Sequence, residues 1–168
     1  HGEIWWTGDD GGIVVWQPED HTALGPRHCR SLTGSSGPMS GPQLVDFRGF
    51  PSDDTPLHSV IAHLECGGLL AYPTETVYGF GGIPDQTVIR DLRRLKERNP
   101  TKAMLLLIPN RASVEDLVWT QEALDMAEVF WPGSVTLVLS DPCSRYPEGL
   151  RSSEGNVAVR VSPHPLVR

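Results

Sequence analysis

Gly67 to Gly82 reads GGLLAYPTETVYGFGG, and the rest of the chain is organised around it. Its front, Leu69 to Tyr72, is a short apolar run of the kind that fills a buried strand; Pro73 then removes a backbone donor and ends regular pairing. Thr74, Glu75 and Thr76 follow, so three polar side chains stand at the mouth of a strand. Gly79, Gly81 and Gly82 come next and allow backbone to approach a ligand closely. A hydroxyl-rich lip beside bare backbone suits a small polar ligand. A strand, a proline turn and a glycine-relieved loop with no ligand would read the same way. The spacing does not separate the two, because GFGG is not the GxGxxG of a dinucleotide fold.

Downstream, Gln86 to Glu97 carries Val88, Ile89, Leu92 and Leu95 on one helical face and Arg90, Arg93 and Arg94 on the others. The last turn delivers Lys96 and Arg98 to a loop at Asn99 and Pro100. Cations at a helix C-terminus are favourable by about 0.3 to 1 kcal/mol each, which is a purely structural reason for a Lys-x-Arg there. Lys102 lies beyond the helix, where that reason no longer applies, and three positive groups around one turn can clamp phosphates. Met104 to Ile108 is an unbroken apolar run that reads as a buried strand. Ser113 with Asp116 approximates a capping box for a short helix to Trp119, and Thr120 caps another running to about Phe130. Trp131, Pro132 and Gly133 make a sharp exit into a strand from Val135 to Leu139, with the tryptophan read as core.

After a turn-rich stretch from Asp141 to Gly155, Asn156 to Val161 reads NVAVRV. Strand alternation puts Asn156, Ala158 and Arg160 on one face and three valines on the other. An arginine between valines is costly to bury without an anion, so Arg160 is a candidate ligand for a carboxylate or phosphate; a buried internal ion pair satisfies it equally well.

Upstream, Thr55 and Pro56 open a helix with Leu57, Val60, Ile61 and Leu64 in register until Gly67 stops it, leaving His58 and His63 outside the stripe and solvated. Leu44, Val45 and Phe47 form the first short strand of the domain proper. Residues 1–43 read as an extension. Trp5, Trp6 and Ile13 to Trp16 flank an Asp/Gly turn that suits a hairpin, and Ser31 to Pro42 is a Gly/Ser/Pro-rich linker.

The 168 residues are enough for one domain plus an appendage, and 39% hydrophobic with 21% charged residues is ordinary for a globular protein. A net charge of -7 argues against coating nucleic acid through bulk positive charge. Yet seven basic residues fall between Asp85 and Arg111 against three acids, a local patch that matches a compact anion such as a nucleotide. Cys29, Cys66 and Cys143 are far apart with no CxxC pair, so no zinc ribbon or disulfide framework is expected. The histidines show no HxxxH or HExxH spacing, and no metal site is assigned. No run reaches the ~18 apolar residues of a membrane span, and a reducing cytoplasm is the expected setting. Helices and strands mix without strict βαβ regularity, so the class is α/β or α+β with a mostly covered sheet.

Taken together, YPTETVYGFGG (72–82), LKER followed by Lys102 (95–102), FWPGSVTLVL (130–139) and NVAVRVSPHPLV (156–167) resemble the YrdC-like family of L-threonylcarbamoyladenylate synthases. The resemblance spans residues 44–168, in four blocks in the family's order. It implies a twisted, largely antiparallel α/β sheet with flanking helices around a cationic cavity. It also implies that L-threonine, bicarbonate and ATP, with Mg2+, give threonylcarbamoyl-AMP and pyrophosphate for threonylcarbamoyladenosine in tRNA, passed on by downstream transfer proteins.

On that resemblance Thr76 contacts L-threonine and Arg160 grips its carboxylate. Arg98 and Lys102 hold ATP, with Lys96 completing the clamp, so Lys96 and Arg98 are the expected catalytic pair. Asn156 stands against the nucleotide where the family commonly has Thr or Ser. The family continues past the HPLV block with a Ser-x-Asn motif that contacts ATP, whereas this sequence ends at Arg168, so the C-terminal part of the domain is expected to be missing. Two other readings use the same residues: a non-catalytic module binding double-stranded RNA or tRNA, and the YrdC-like domain of a carbamoyltransferase.

Overall fold

A computed structural model describes residues 12–16, 42–47, 55–97, 99 and 101–168. Four strands, β1 (Gly12–Trp16), β2 (Gln43–Asp46), β3 (Leu69–Tyr72) and β4 (Gly79–Gly81), form an antiparallel sheet in the order β2-β1-β3-β4. A second sheet, in the order β5-β7-β6, joins β5 (Leu105–Leu107), β6 (Leu137–Ser140) and β7 (Asn156–Arg160); β5 runs parallel to β7 and β6 antiparallel. With helices α1 (Thr55–Glu65), α2 (Gln86–Leu95) and α3 (Gln121–Phe130), the architecture is α+β and largely antiparallel, as the sequence implied. β1 comes from the segment that reads as an extension, and it sits between β2 and β3. Trp5, Trp6 and the Asp9 to Gly11 turn of the expected hairpin lie outside the described residues, as does the Ser31 to Gly41 part of the linker.

The LLAY run of β3 lacks alternation because both faces of its sheet are covered. Leu69 packs with Val88, Ile89 and Leu92 of α2. Its neighbour Leu70 points the other way and packs with Val60 of α1 and with Phe47. α1 ends where Gly67 takes φ 81°, a left-handed conformation that costs glycine little, with its N–H donating to the Leu64 carbonyl. α2 starts where the Asp85 carboxylate accepts from the Thr87 amide at 2.8 Å. In α3, Thr120 Oγ1 accepts from the Ala123 amide at 3.2 Å, the expected cap.

In the second sheet Val157, Val159 and Val161 are all buried, against Ile108, Val114, Leu117 and Leu139, while Asn156, Ala158 and Arg160 occupy the opposite, half-open face. The alternation read from NVAVRV therefore holds. Trp131 packs against this core and its indole N–H donates to the Val135 carbonyl at 2.7 Å, which fits a structural tryptophan.

Four expectations are corrected. His63 is buried, its Nε2 3.1 Å from the Leu69 carbonyl, because Gly68 has no Cβ to fill the space that the imidazole takes. Ser113 and Asp116 do not frame a capping box: a 3-10 helix, Arg111–Val114, starts earlier and ends before Asp116. Leu105 is 38% exposed, so β5 is not buried throughout. Cys66 is disulfide-bonded, whereas no disulfide framework was expected; Cys143 is free and exposed.

Two outcomes follow from this packing. Val159→Ala removes two fully buried methyl groups and should lower unfolding free energy by about 2 kcal/mol in urea denaturation. Tyr146 is held protonated by burial and by its hydroxyl donating to Asp116 Oδ1 at 3.0 Å, with the charges of Asp116 and Asp141 adding to the effect, and its pKa rises to about 12. A raised tyrosine pKa contributes stability that is complete below the ordinary value of 10 and is lost as pH climbs through about 12. Tyrosinate absorbance on titration should therefore show one group ionising near 12, and Tyr146→Phe should abolish that step.

Candidate active site

The YPTET turn is built by its first threonine. Thr74 Oγ1 donates to the Val77 carbonyl at 2.6 Å and accepts from the Thr76 and Val77 amides at 3.3 Å each, closing the loop between β3 and β4. That closure turns Glu75 inward. Its carboxylate meets β7: Arg160 Nη1 donates to Glu75 Oε1 at 2.9 Å, and Ser162 Oγ donates to Glu75 Oε2 at 2.5 Å. Thr136, at the entrance to β6, accepts from Arg160 Nε at 3.0 Å and from Nη2 at 2.8 Å. Burial acts to raise the Glu75 carboxyl, but the bonds from Ser162 and Arg160, its own backbone amide and the guanidinium charge outweigh it, and the group lies below its ordinary range.

Of the two ways to satisfy Arg160, the structure thus provides the internal ion pair. A guanidinium has five N–H donors. Thr136 takes the Nε donor and one from Nη2, and Glu75 takes one from Nη1, so among the described residues one N–H on each terminal nitrogen has no partner. The side chain is 18% exposed.

The glycines after the turn have a different role from the one the sequence suggested. A Cβ on Gly81 would come within 2.6 Å of the Tyr72 ring, so the bare backbone there accommodates an internal aromatic group. Burial pushes the Tyr72 hydroxyl up. A pocket of about 140 Å³ between β4 and β5 is lined by Tyr72, Phe80, Gly81, Lys96, Leu105 and Leu107.

Strand register orders the open face of the second sheet into three rows. Asn156 pairs with Ser140, Ala158 with both Leu105 and Val138, and Arg160 with Leu107 beside Thr136. The face is polar at both ends and apolar between, Val138 being 65% exposed. Thr76, exposed, follows Glu75 at the Arg160 end. Lys102, exposed, lies three residues before Leu105, which pairs with Ala158 of β7. Four residues of strand separate the two ends, roughly 13 Å. Lys96, just past α2, borders the small pocket, and Arg98 lies outside the described residues. Glu75 as the partner of Arg160, Thr136 and Ser162 are the members of the cluster that the sequence did not single out; a carboxylate in the turn facing a lone strand arginine was the available signal.

A family model for Sua5, YciO and YrdC, described as "Telomere recombination", matches residues 62–168. Among curated relatives, the threonylcarbamoyl-AMP synthase of Chromohalobacter salexigens is 40% identical over 111 residues, covering 64% of this chain and 60% of the relative. That of Marinobacter nauticus is 38% identical over 108 residues, covering 61% and 55%. The solved structure of P. abyssi Sua5 complexed with L-threonine aligns with a TM-score of 0.64 and 29% identity over 68% of this chain and 34% of that one. The chain thus spans at most three fifths of the length of these relatives. With the matched segment taking in the YPTET turn, α2 and all three strands of the second sheet, the chain belongs to the Sua5/YciO/YrdC family.

Proposed function

We propose that this chain carries the amino-acid side, and part of the nucleotide side, of an L-threonylcarbamoyladenylate synthase. The observation that supports it most is Arg160: a half-buried guanidinium, fixed by Glu75 and Thr136, with one N–H left on each terminal nitrogen at the edge of an open sheet face. Those donors suit an α-carboxylate, and the solved neighbour complexed with L-threonine supports threonine as the amino acid. Thr76 stands beside it. The apolar row of Leu105, Ala158 and Val138 separates this end from Asn156 and Lys102, where the nucleotide would lie with Lys96 and Arg98 on its phosphates.

In this reading the threonine ammonium first releases a proton to solvent, and the free amine then adds to bicarbonate, forming an N–C bond with loss of water. A carbamate oxygen then attacks the α-phosphorus of ATP as the bond to the β-phosphate breaks and pyrophosphate leaves. The protein's part is to hold two anions in line and to spread phosphoryl charge over its cations. Magnesium would supply charge on the phosphates. Among the described residues no group of three His, Cys, Asp or Glu side chains is placed to hold a metal ion. The product would serve threonylcarbamoyl modification of tRNA by downstream transfer proteins, in a cytoplasmic setting. No helix among the described residues is long and apolar enough to cross a membrane.

Threonine-dependent pyrophosphate release from ATP is the direct test. RNA retention that weakens steeply with salt, with no such release, would replace this reading with a binding module. In calorimetric titration, Arg160→Ala should weaken threonine by about tenfold or more while leaving ATP unchanged, the loss expected for a charged hydrogen-bonded contact. Lys96→Ala should do the reverse, and unchanged affinities in both variants would reject these roles.

A further inference from the structure

Arg160 does not face its proposed ligand alone, and the carboxylate beside it changes what the subsite can accept. Glu75 and Arg160 meet at 2.9 Å, with side chains 13% and 18% exposed, so the pair is desolvated on most sides yet keeps a narrow open edge. Opposite charges cancel within the pair. A ligand that offers a carboxylate and nothing else gains the two remaining Arg160 donors but comes to rest against a second carboxylate, which repels it. A ligand that carries an ammonium next to its carboxylate meets neither penalty. Glu75 has room for it: an ionised carboxylate offers about four lone-pair sites, of which Arg160, Ser162 and its own backbone amide take three, leaving about one for an ammonium N–H. The carboxyl is held ionised, which keeps it an acceptor for such a cation.

We propose that Glu75 and Arg160 together form a subsite that reads an amino acid as a zwitterion. Glu75 is the specificity-determining partner: it receives the α-ammonium while positioning the guanidinium for the α-carboxylate. This rests on the reading in which Arg160 meets the carboxylate of threonine. Ser162 fixes Glu75 from the far side, and the chain after it is itself tied back, the His164 amide donating to Ser162 Oγ at 3.2 Å. Glu75 therefore cannot swing aside without breaking its bonds from Ser162 and Arg160. The loop residue Thr74 braces it from the other end through its bonds to residues 76 and 77.

The test is calorimetric titration of the protein with L-threonine and with 3-hydroxybutyrate, which is threonine without its amino group. The unmodified protein should prefer threonine by about 10- to 100-fold, the range for one hydrogen bond to a charged group. Glu75→Gln should bring that ratio close to one, with ATP affinity unchanged, and Glu75→Asp should restore part of it. Equal binding of the two ligands by the unmodified protein overturns the inference without recourse to any variant that might misfold, and so does a Glu75→Gln protein that keeps the original ratio. Arg160→Ala separates the two levels. If it weakens both ligands while the unmodified protein does not discriminate, the carboxylate assignment stands and the role of Glu75 is lost. If it weakens neither, both are lost.

Discussion

The ion pair between Glu75 and Arg160 links residues 85 positions apart and joins the two sheets at the point where the chemistry is proposed. It depends on both partners being presented from rigid supports. Arg160 ends a strand whose alternate residues, Val157 and Val159, are fully buried, so the side chain has no choice of face. Glu75 sits in a turn closed by Thr74 immediately after a strand anchored on both faces. Isolated charges in such surroundings are costly, and removing one partner of a buried pair typically costs 3 to 5 kcal/mol, so each is fixed by the other as much as by its own element.

The rest of the open face follows from the same strand. Because side chains alternate and register is fixed on both sides of β7, the positions two and four residues before Arg160 must share its face. That geometry produces an apolar, open middle between two polar ends. The two polar ends are thus spaced by backbone geometry rather than by loop conformation, and little about their separation can relax.

Much of this was readable beforehand because it is local. The valine alternation of β7, the apolar stripe of α2, the glycine end of α1 and the threonine cap of α3 each depend on residues within one or two turns of one another. What could not be read depends on distant neighbours. Arg160 announced that it needed an anion, but Glu75 as that anion is set by the pairing of two sheets. His63 falls off the apolar stripe of its helix yet is buried, because the absent side chain of Gly68 leaves a slot and the Leu69 carbonyl an acceptor. Gly81 was read as an opening for a ligand, whereas Tyr72 takes that space. The Ser113 and Asp116 spacing satisfied a capping rule that the backbone did not use, since the 3-10 turn there is entered from Asn110, three residues before Ser113.

The placement of β1 has a consequence for how the chain can be shortened. Gly12–Trp16 lies between β2 and β3, bonded to both, although it is remote in sequence from the residues that carry the family resemblance. Trimming past Trp16 would strip the centre from that sheet, leave β2 without a neighbour and bare one edge of the strand that leads into the YPTET turn. A shortened version designed from the matched segment alone would therefore carry an exposed, aggregation-prone seam next to the very loop it was meant to preserve.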